Sequence, residues 1–196
     1  MATETKTRLI GKWNGSELVI DLESKGKTYS EKVFVDFSGK PPVIGQTVKV
    51  LGIATYHRED MLSYVKAIKW EPADGLHINE AMTEGSVIRS FYSDKGSVSF
   101  CSVILQVIDG FQEIKAFRNV AEHLRENAKR SCLVKAFGRL ANASFTDKDG
   151  RERTKLTLIV NDESQLTIKS TVPDIEAEFA SLTPAYETGT DADIPW

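Results

Sequence analysis

A chain of 196 residues, 41% hydrophobic and 27% charged, suits one ordinary domain or two small ones and excludes collagen-like, coiled-coil and low-complexity chains. Its apolar runs are short, so no segment approaches the roughly 20 residues of a membrane-spanning helix. The net charge of −3 is uneven: all 25 Lys and Arg lie in residues 1–170 and six of the 28 acids lie beyond them, so that body carries +3 and the last 26 residues carry only acids.

Residues 1–70 read as strands and turns. Arg8 to Trp13 is closed by Asn14-Gly15, Glu17 to Glu23 by Lys25-Gly26, and Thr28 to Phe37 by Ser38-Gly39-Lys40-Pro41-Pro42. Gln46 to Tyr56 follows, with Gly52 marking a bulge or bend. The fifth strand, Met61 to Trp70, is reached through His57-Arg58-Glu59-Asp60. Five short strands in so few residues predict a small closed barrel, because closure removes exposed edges.

Residues 71–84 (EPADGLHINEAMTE) read as a linker, with room for a short helix. Residues 85–170 repeat the strand pattern with one addition. Ser86 to Tyr92, Val98 to Val107 and Phe111 to Phe117 are strands. A helix then starts with Asn119 as N-cap and Glu122 at its third position, aligns Val120, Leu124 and Ala128, and holds Lys129 and Arg130 in its last turn. Leu133 to Phe145 and Arg153 to Leu166 form a long hairpin around Asp147-Lys148-Asp149-Gly150. The order β-β-β-α-β-β is that of the OB-fold. The predicted fold class is all-β with one short helix: two tandem OB-fold barrels, the first without the helix, and a disordered acidic C-terminal tail over residues 171–196.

Constellations for catalysis are poor. His57, His77 and His123 share no metal-ligand spacing. Cys101 and Cys132 are too few for a disulfide framework or a zinc site. MATETKTRLI at the start carries no apolar signal region, so a cytoplasmic protein is expected. Asp147, Asp149 and Glu152 faintly resemble a calcium loop, but Leu158 stands where the loop needs an acid. No enzyme, cofactor or metal is expected.

Aromatic placement says more. Phe111 and Phe117 lie six apart on one strand and therefore on one sheet face. Phe145 stands beside Lys148, Arg151 and Arg153. Bases stack on such rings while Lys and Arg hold phosphates, without sequence readout. Barrel core is the plain alternative for each ring. In the first domain Trp13, Tyr29, Phe34, Phe37, Tyr56, Tyr64 and Trp70 are a similar supply whose core and surface members the sequence does not separate.

The chain ends Asp191-Ala192-Asp193-Ile194-Pro195-Trp196. Acids followed by Ile-Pro-aromatic make a compact peptide ligand with an aromatic anchor, a stiffening Pro and charges for a basic rim. This tail resembles the acidic tip of the bacterial single-stranded DNA-binding protein (SSB) family, which ends Asp-Ile-Pro-Phe. Residues 111–166 resemble the second half of the SSB OB-fold: a strand, a Leu-Ala-Glu-type helix, Gly138-Arg139-Leu140, an Asp-x-x-Gly hairpin and a final strand. Residues 1–70 align with no motif of that family. The resemblance puts Phe111, Phe117 and Phe145 on base-stacking positions. Ala141-Asn142-Ala143 stands where the family usually carries basic residues.

What the resemblance implies is sequence-independent single-stranded DNA binding in replication, recombination or repair. Phe111, Phe117, Phe145, Arg139, Lys148, Arg151 and Arg153 would contact the strand. Asp191, Asp193, Ile194, Pro195 and Trp196 would recruit DNA-processing proteins. Two OB-folds per chain would make four in a homodimer, and a short, divergent chain of this kind suits a phage or mobile-element version. The rival readings are an RNA-binding OB module and a protein-interaction adaptor.

Overall fold

The computed structural model describes residues 3–24, 26–57, 62–108, 110–147 and 149–170. The tail, including the tip residues Asp191, Asp193, Ile194, Pro195 and Trp196, lies outside the described residues, as does Lys148.

Five strands build the first barrel: β1 (Thr5–Trp13), β2 (Glu17–Ser24), β3 (Lys27–Phe37), β4 (Thr47–His57) and β5 (Leu62–Pro72). Burial alternates along β1 and the first half of β2, so one face of each strand fills the interior with Leu9, Leu18, Ile20, Val33, Val48, Val50 and Val65. Antiparallel pairs join β1 to β2, β2 to β3, β5 to β4 and β4 to β1. A parallel pair, Val35↔Val65 to Phe37↔Ala67, closes the ring between β3 and β5. The expected irregularity at Gly52 is present as a register shift between Leu51 and Gly52.

The second barrel repeats this closure. It uses β6 (Ile78–Ser93), β7 (Phe100–Val107), β8 (Gly110–Phe117), β9 (Leu133–Thr146) and β10 (Glu152–Val160), with α1 (Asn119–Asn127) between the third and fourth strands. Its parallel pair joins β8 to β10 from Glu113↔Thr157 to Ala116↔Val160. Two crossings are tight enough to demand glycine. A Cβ on Gly85 would lie 2.3 Å from the Gln106 carbonyl oxygen, and one on Gly138 would lie 2.1 Å from that of Ile159. The helix buries Val120, Ala121 and Leu124 against β7 and β8.

Three details differ from the sequence reading. Helix capping starts one residue early: Arg118 occupies the N-cap position at φ +56°, and its carbonyl accepts from the Ala121 and Glu122 amides. The helix also ends at Asn127, before Lys129 and Arg130, because Ala128 leaves the helical conformation at ψ +71°. The last long strand is broken at Asn161. There Asp162 caps a short 3₁₀ turn by accepting from the Ser164 amide, and Gln165 reaches back to the Asn161 and Asp162 amides, so β11 (Leu166–Lys169) is separate and pairs with β9.

The largest correction concerns the expected linker 71–84. Pro72 still belongs to β5, no helix forms, and only residues 73–77 connect the barrels. From Ile78 onward β6 is a strand of both barrels. It pairs with β1 (Ile10↔Ile78 to Lys6↔Met82) and with β9 (Ala81↔Gly138 to Ser86↔Leu133). Where the β6–β9 ladder stops, the Asn79 side chain continues it: Nδ2 donates to the Leu140 carbonyl and the Leu140 amide donates to Oδ1, both at 2.8 Å. Asn79 is buried, and an unpaired amide there would cost roughly 1–3 kcal/mol. All eleven strands thus form one continuous hydrogen-bonded sheet. Away from β6, Arg139 on β9 pairs with Glu31 on β3 and lies 5.5 Å from the Tyr29 ring, while Asn142 Nδ2 donates to the Lys32 carbonyl.

Candidate nucleic-acid interface

OB-folds that bind oligonucleotides use the outer face of strands two and three and the loops flanking it. In the second barrel that face is β7 and β8. Strand alternation sends Cys101, Val103, Leu105, Gln112, Ile114 and Ala116 inward. The other parity stands outside in cross-strand rows: Phe100↔Phe117, Ser102↔Lys115, Ile104↔Glu113 and Gln106↔Phe111. Arg89 and Phe91 of β6 extend two of these rows, opposite Ile104 and Ser102. Phe111 is 46% exposed, Phe117 39% and Phe91 55%. Exposed rings on one sheet face are what stacking on bases requires; core rings would have taken the opposite parity.

Charge is set among the rings. Lys115 Nζ lies 4.7 Å from the Phe100 centroid, and Phe91 packs against Phe100 at 5.8 Å between centroids. Phe145 near the end of β9 is half-buried, with Lys155 Nζ 5.5 Å from its ring. Lys155 is held there by Glu113, whose Oε2 accepts from it at 2.7 Å and from the Thr157 hydroxyl at 3.0 Å; Oε1 accepts from Ser102. Burial alone would raise the Glu113 carboxyl. The hydrogen bonds from Lys155 and Ser102, the Lys155 charge and the Thr157 hydroxyl outweigh it and hold the carboxyl below its ordinary value. Glu113 therefore stays ionised and fixes a cation beside Phe145.

The expected basic hairpin is divided. Arg151 is exposed. Arg153 is folded back: its Nε donates to Asp147 Oδ2 at 3.0 Å, and Asp147 also accepts from the Asp149 and Arg151 amides at 2.9 Å. Arg153 helps to shape the turn, so the hairpin does not present three projecting cations. Arg139 is spent on the seam between the barrels, where Glu31 takes its charge. Phe91, Phe100, Lys115 and Lys155 were not singled out from the sequence. The signal for Phe100 was present: it shares parity with Ser102, while the fully apolar set Cys101, Val103, Leu105 takes the other face.

Among the described residues, no group of three or more His, Cys, Asp or Glu side chains is placed to hold a metal ion, and no helix is long and apolar enough to cross a membrane.

The topology and this face define a tandem pair of OB-type barrels, one with an aromatic, lysine-bearing outer sheet. No family model and no curated protein sequence matches the chain. Among solved structures, the chain is similar to the wild-type single-stranded DNA binding protein from Thermus aquaticus, at a TM-score of 0.66 and 18% identity over 86% of this chain and 94% of that one. A deletion variant of the same Thermus aquaticus protein superimposes at a TM-score of 0.63, also at 18% identity, over 87% of this chain and 95% of that chain. The shared element is the two-barrel fold along nearly the whole described chain.

Proposed function

We propose that this protein binds single-stranded DNA without sequence preference. The observation that carries the reading is the outer face of β7 and β8, where Phe100, Phe111 and Phe117 alternate with Lys115 and stand next to Lys155 and Phe145. Every base has a π-face, so rings in a row bind any sequence, and intervening cations neutralise the backbone. A duplex offers its bases only edge-on and would leave these rings unused. The likeness in fold to the Thermus aquaticus protein supports the same reading. The role would be in replication, recombination or repair, with a homodimer supplying four barrels. Residues 191–196 would recruit processing proteins by inserting Ile194-Pro195-Trp196 into an apolar pocket rimmed with basic groups.

The test is a salt series of binding to single-stranded and duplex DNA, with RNA of the same sequence as competitor. The expected outcome is preference for single-stranded DNA and an affinity that falls linearly with salt on logarithmic axes. Equal binding to duplex, or preference for RNA, would overturn the reading. Deletion of Trp196 should leave this binding unchanged and abolish co-purification of DNA-processing proteins from the host.

A further inference from the structure

The first barrel's face is unlike the second's, yet its β4–β5 hairpin reaches the second barrel. Tyr56 and Ser63 are a cross-strand pair near the end of that hairpin. Together with Ile104, Phe111, Glu113, Phe145, Lys155 and Leu156 of the second barrel they line a recess of about 240 Å³. Pockets for drug-sized ligands run to roughly 300–1,000 Å³, so this one suits a single ring system.

The walls define its chemistry. Three aromatic rings, Tyr56, Phe111 and Phe145, come from three different strands, with Ile104 and Leu156 completing an apolar lining. The charged groups converge at one place: Lys155 on Glu113, 2.7 Å apart. An ammonium has three N–H donors, and Glu113 takes one of them. A flat heterocycle with carbonyl groups on its edge matches this combination; an aliphatic chain would leave the Lys155–Glu113 pair unused, and a phosphate would face rings and a carboxylate.

We propose that this recess is a nucleobase slot built by both barrels, in which one base of the bound strand inserts between the Phe111 and Phe145 rings, Tyr56 closes the slot from the first barrel, and Lys155 donates to the base edge. The proposal rests on the single-strand reading above. It makes the first barrel a contributor to binding through its hairpin and not through its own sheet face. Ser63 is buried and sets how deeply the base enters.

Two measurements on the full chain decide the matter. In the first, wild type, Tyr56→Ala and Tyr56→Phe are titrated with oligothymidine. Loss of one stacking wall should weaken Tyr56→Ala binding by roughly 5- to 150-fold, and Tyr56→Phe, which keeps the ring, should restore most of it. In the second, which needs no variant to fold, wild type is irradiated on an oligothymidine carrying 5-iododeoxyuridine and the adducts are mapped by mass spectrometry. Adducts on the peptide containing Tyr56, alongside those of Phe111 or Phe145, are expected. Adducts confined to second-barrel peptides, or a Tyr56→Ala variant that folds and binds like wild type, would overturn the slot while leaving single-strand binding intact. Failure of wild type to bind oligothymidine would overturn the parent reading and the slot with it.

Discussion

The two barrels share strand order and parallel closure but turn their aromatic rings in opposite directions. In the first, Trp13, Phe37 and Trp70 meet edge to face, with centroids 5.0 and 5.9 Å apart, and Trp13 is only 5% exposed. The outer rows of β2 and β3 read Glu17↔Phe34, Val19↔Lys32, Asp21↔Ser30 and Glu23↔Thr28. That face holds three acids, one lysine and one ring. In the second barrel the corresponding face holds three phenylalanines and a lysine, and its one acid is occupied by Ser102, Thr157 and Lys155. The barrel interior needs only apolar volume, which Val, Leu and Ile supply in the second barrel, freeing its rings for the surface. Because side chains alternate along a strand, one step of parity separates a structural ring from an outward-facing one.

Replacing aromatic residues by alanine should therefore give opposite readouts in the two barrels. Trp13→Ala should cost roughly 3–5 kcal/mol of stability, measured by chemical denaturation. An unshifted midpoint would show that the first barrel does not depend on its aromatic cluster. Phe117→Ala should weaken single-stranded DNA binding by about 1–3 kcal/mol with little change in melting temperature, and Phe34→Ala should leave affinity nearly unchanged. If Phe34→Ala weakens binding as much as Phe117→Ala, the two faces are equivalent and the contrast fails.

A smaller effect comes from Glu113. Its folded carboxyl titrates below the ordinary 4.5, so its ionised form stabilises the fold above that value, and the contribution disappears as the pH falls through the depressed folded value. Wild type should melt above Glu113→Gln at neutral pH, with the gap narrowing as the pH is taken below 4.5. A gap independent of pH would mean that Glu113 acts through packing alone.

How much of this could be read from the sequence depended on the kind of signal. The second barrel was legible because its strands carry apolar alternation and its helix aligns Val120, Leu124 and Ala128. That Phe111 and Phe117 share a face followed from their spacing, though the spacing alone did not say which face was out. The joint was not legible. The buried positions of early β6 are Asn79, Ala81 and Thr83, small or polar residues that leave no hydrophobic period. Their burial comes from pairing with β1 and β9, strands that lie far away along the chain on either side. The pairing of Arg139 was hidden for the same reason: Glu31, its partner, lies 108 residues off. Arg153 was closer to hand, since an Asp at the start of a Gly-containing turn is a standard partner for the amides that follow it. Tyr56 and Ser63 acquire meaning only once two barrels are placed side by side.

That joint also governs how the molecule comes apart. Because β6 supplies backbone partners to β1 and to β9, neither barrel can lose it without exposing an unpaired edge on the other. The two halves are coupled as one cooperative folding unit, although each has its own hydrophobic interior. A fragment ending near residue 77 would keep five barrel strands but leave the Lys6–Ile10 edge of β1 open to other chains. Such a fragment is prone to associate edge to edge, so activity lost on truncation would report the missing partner strand as much as a missing binding face.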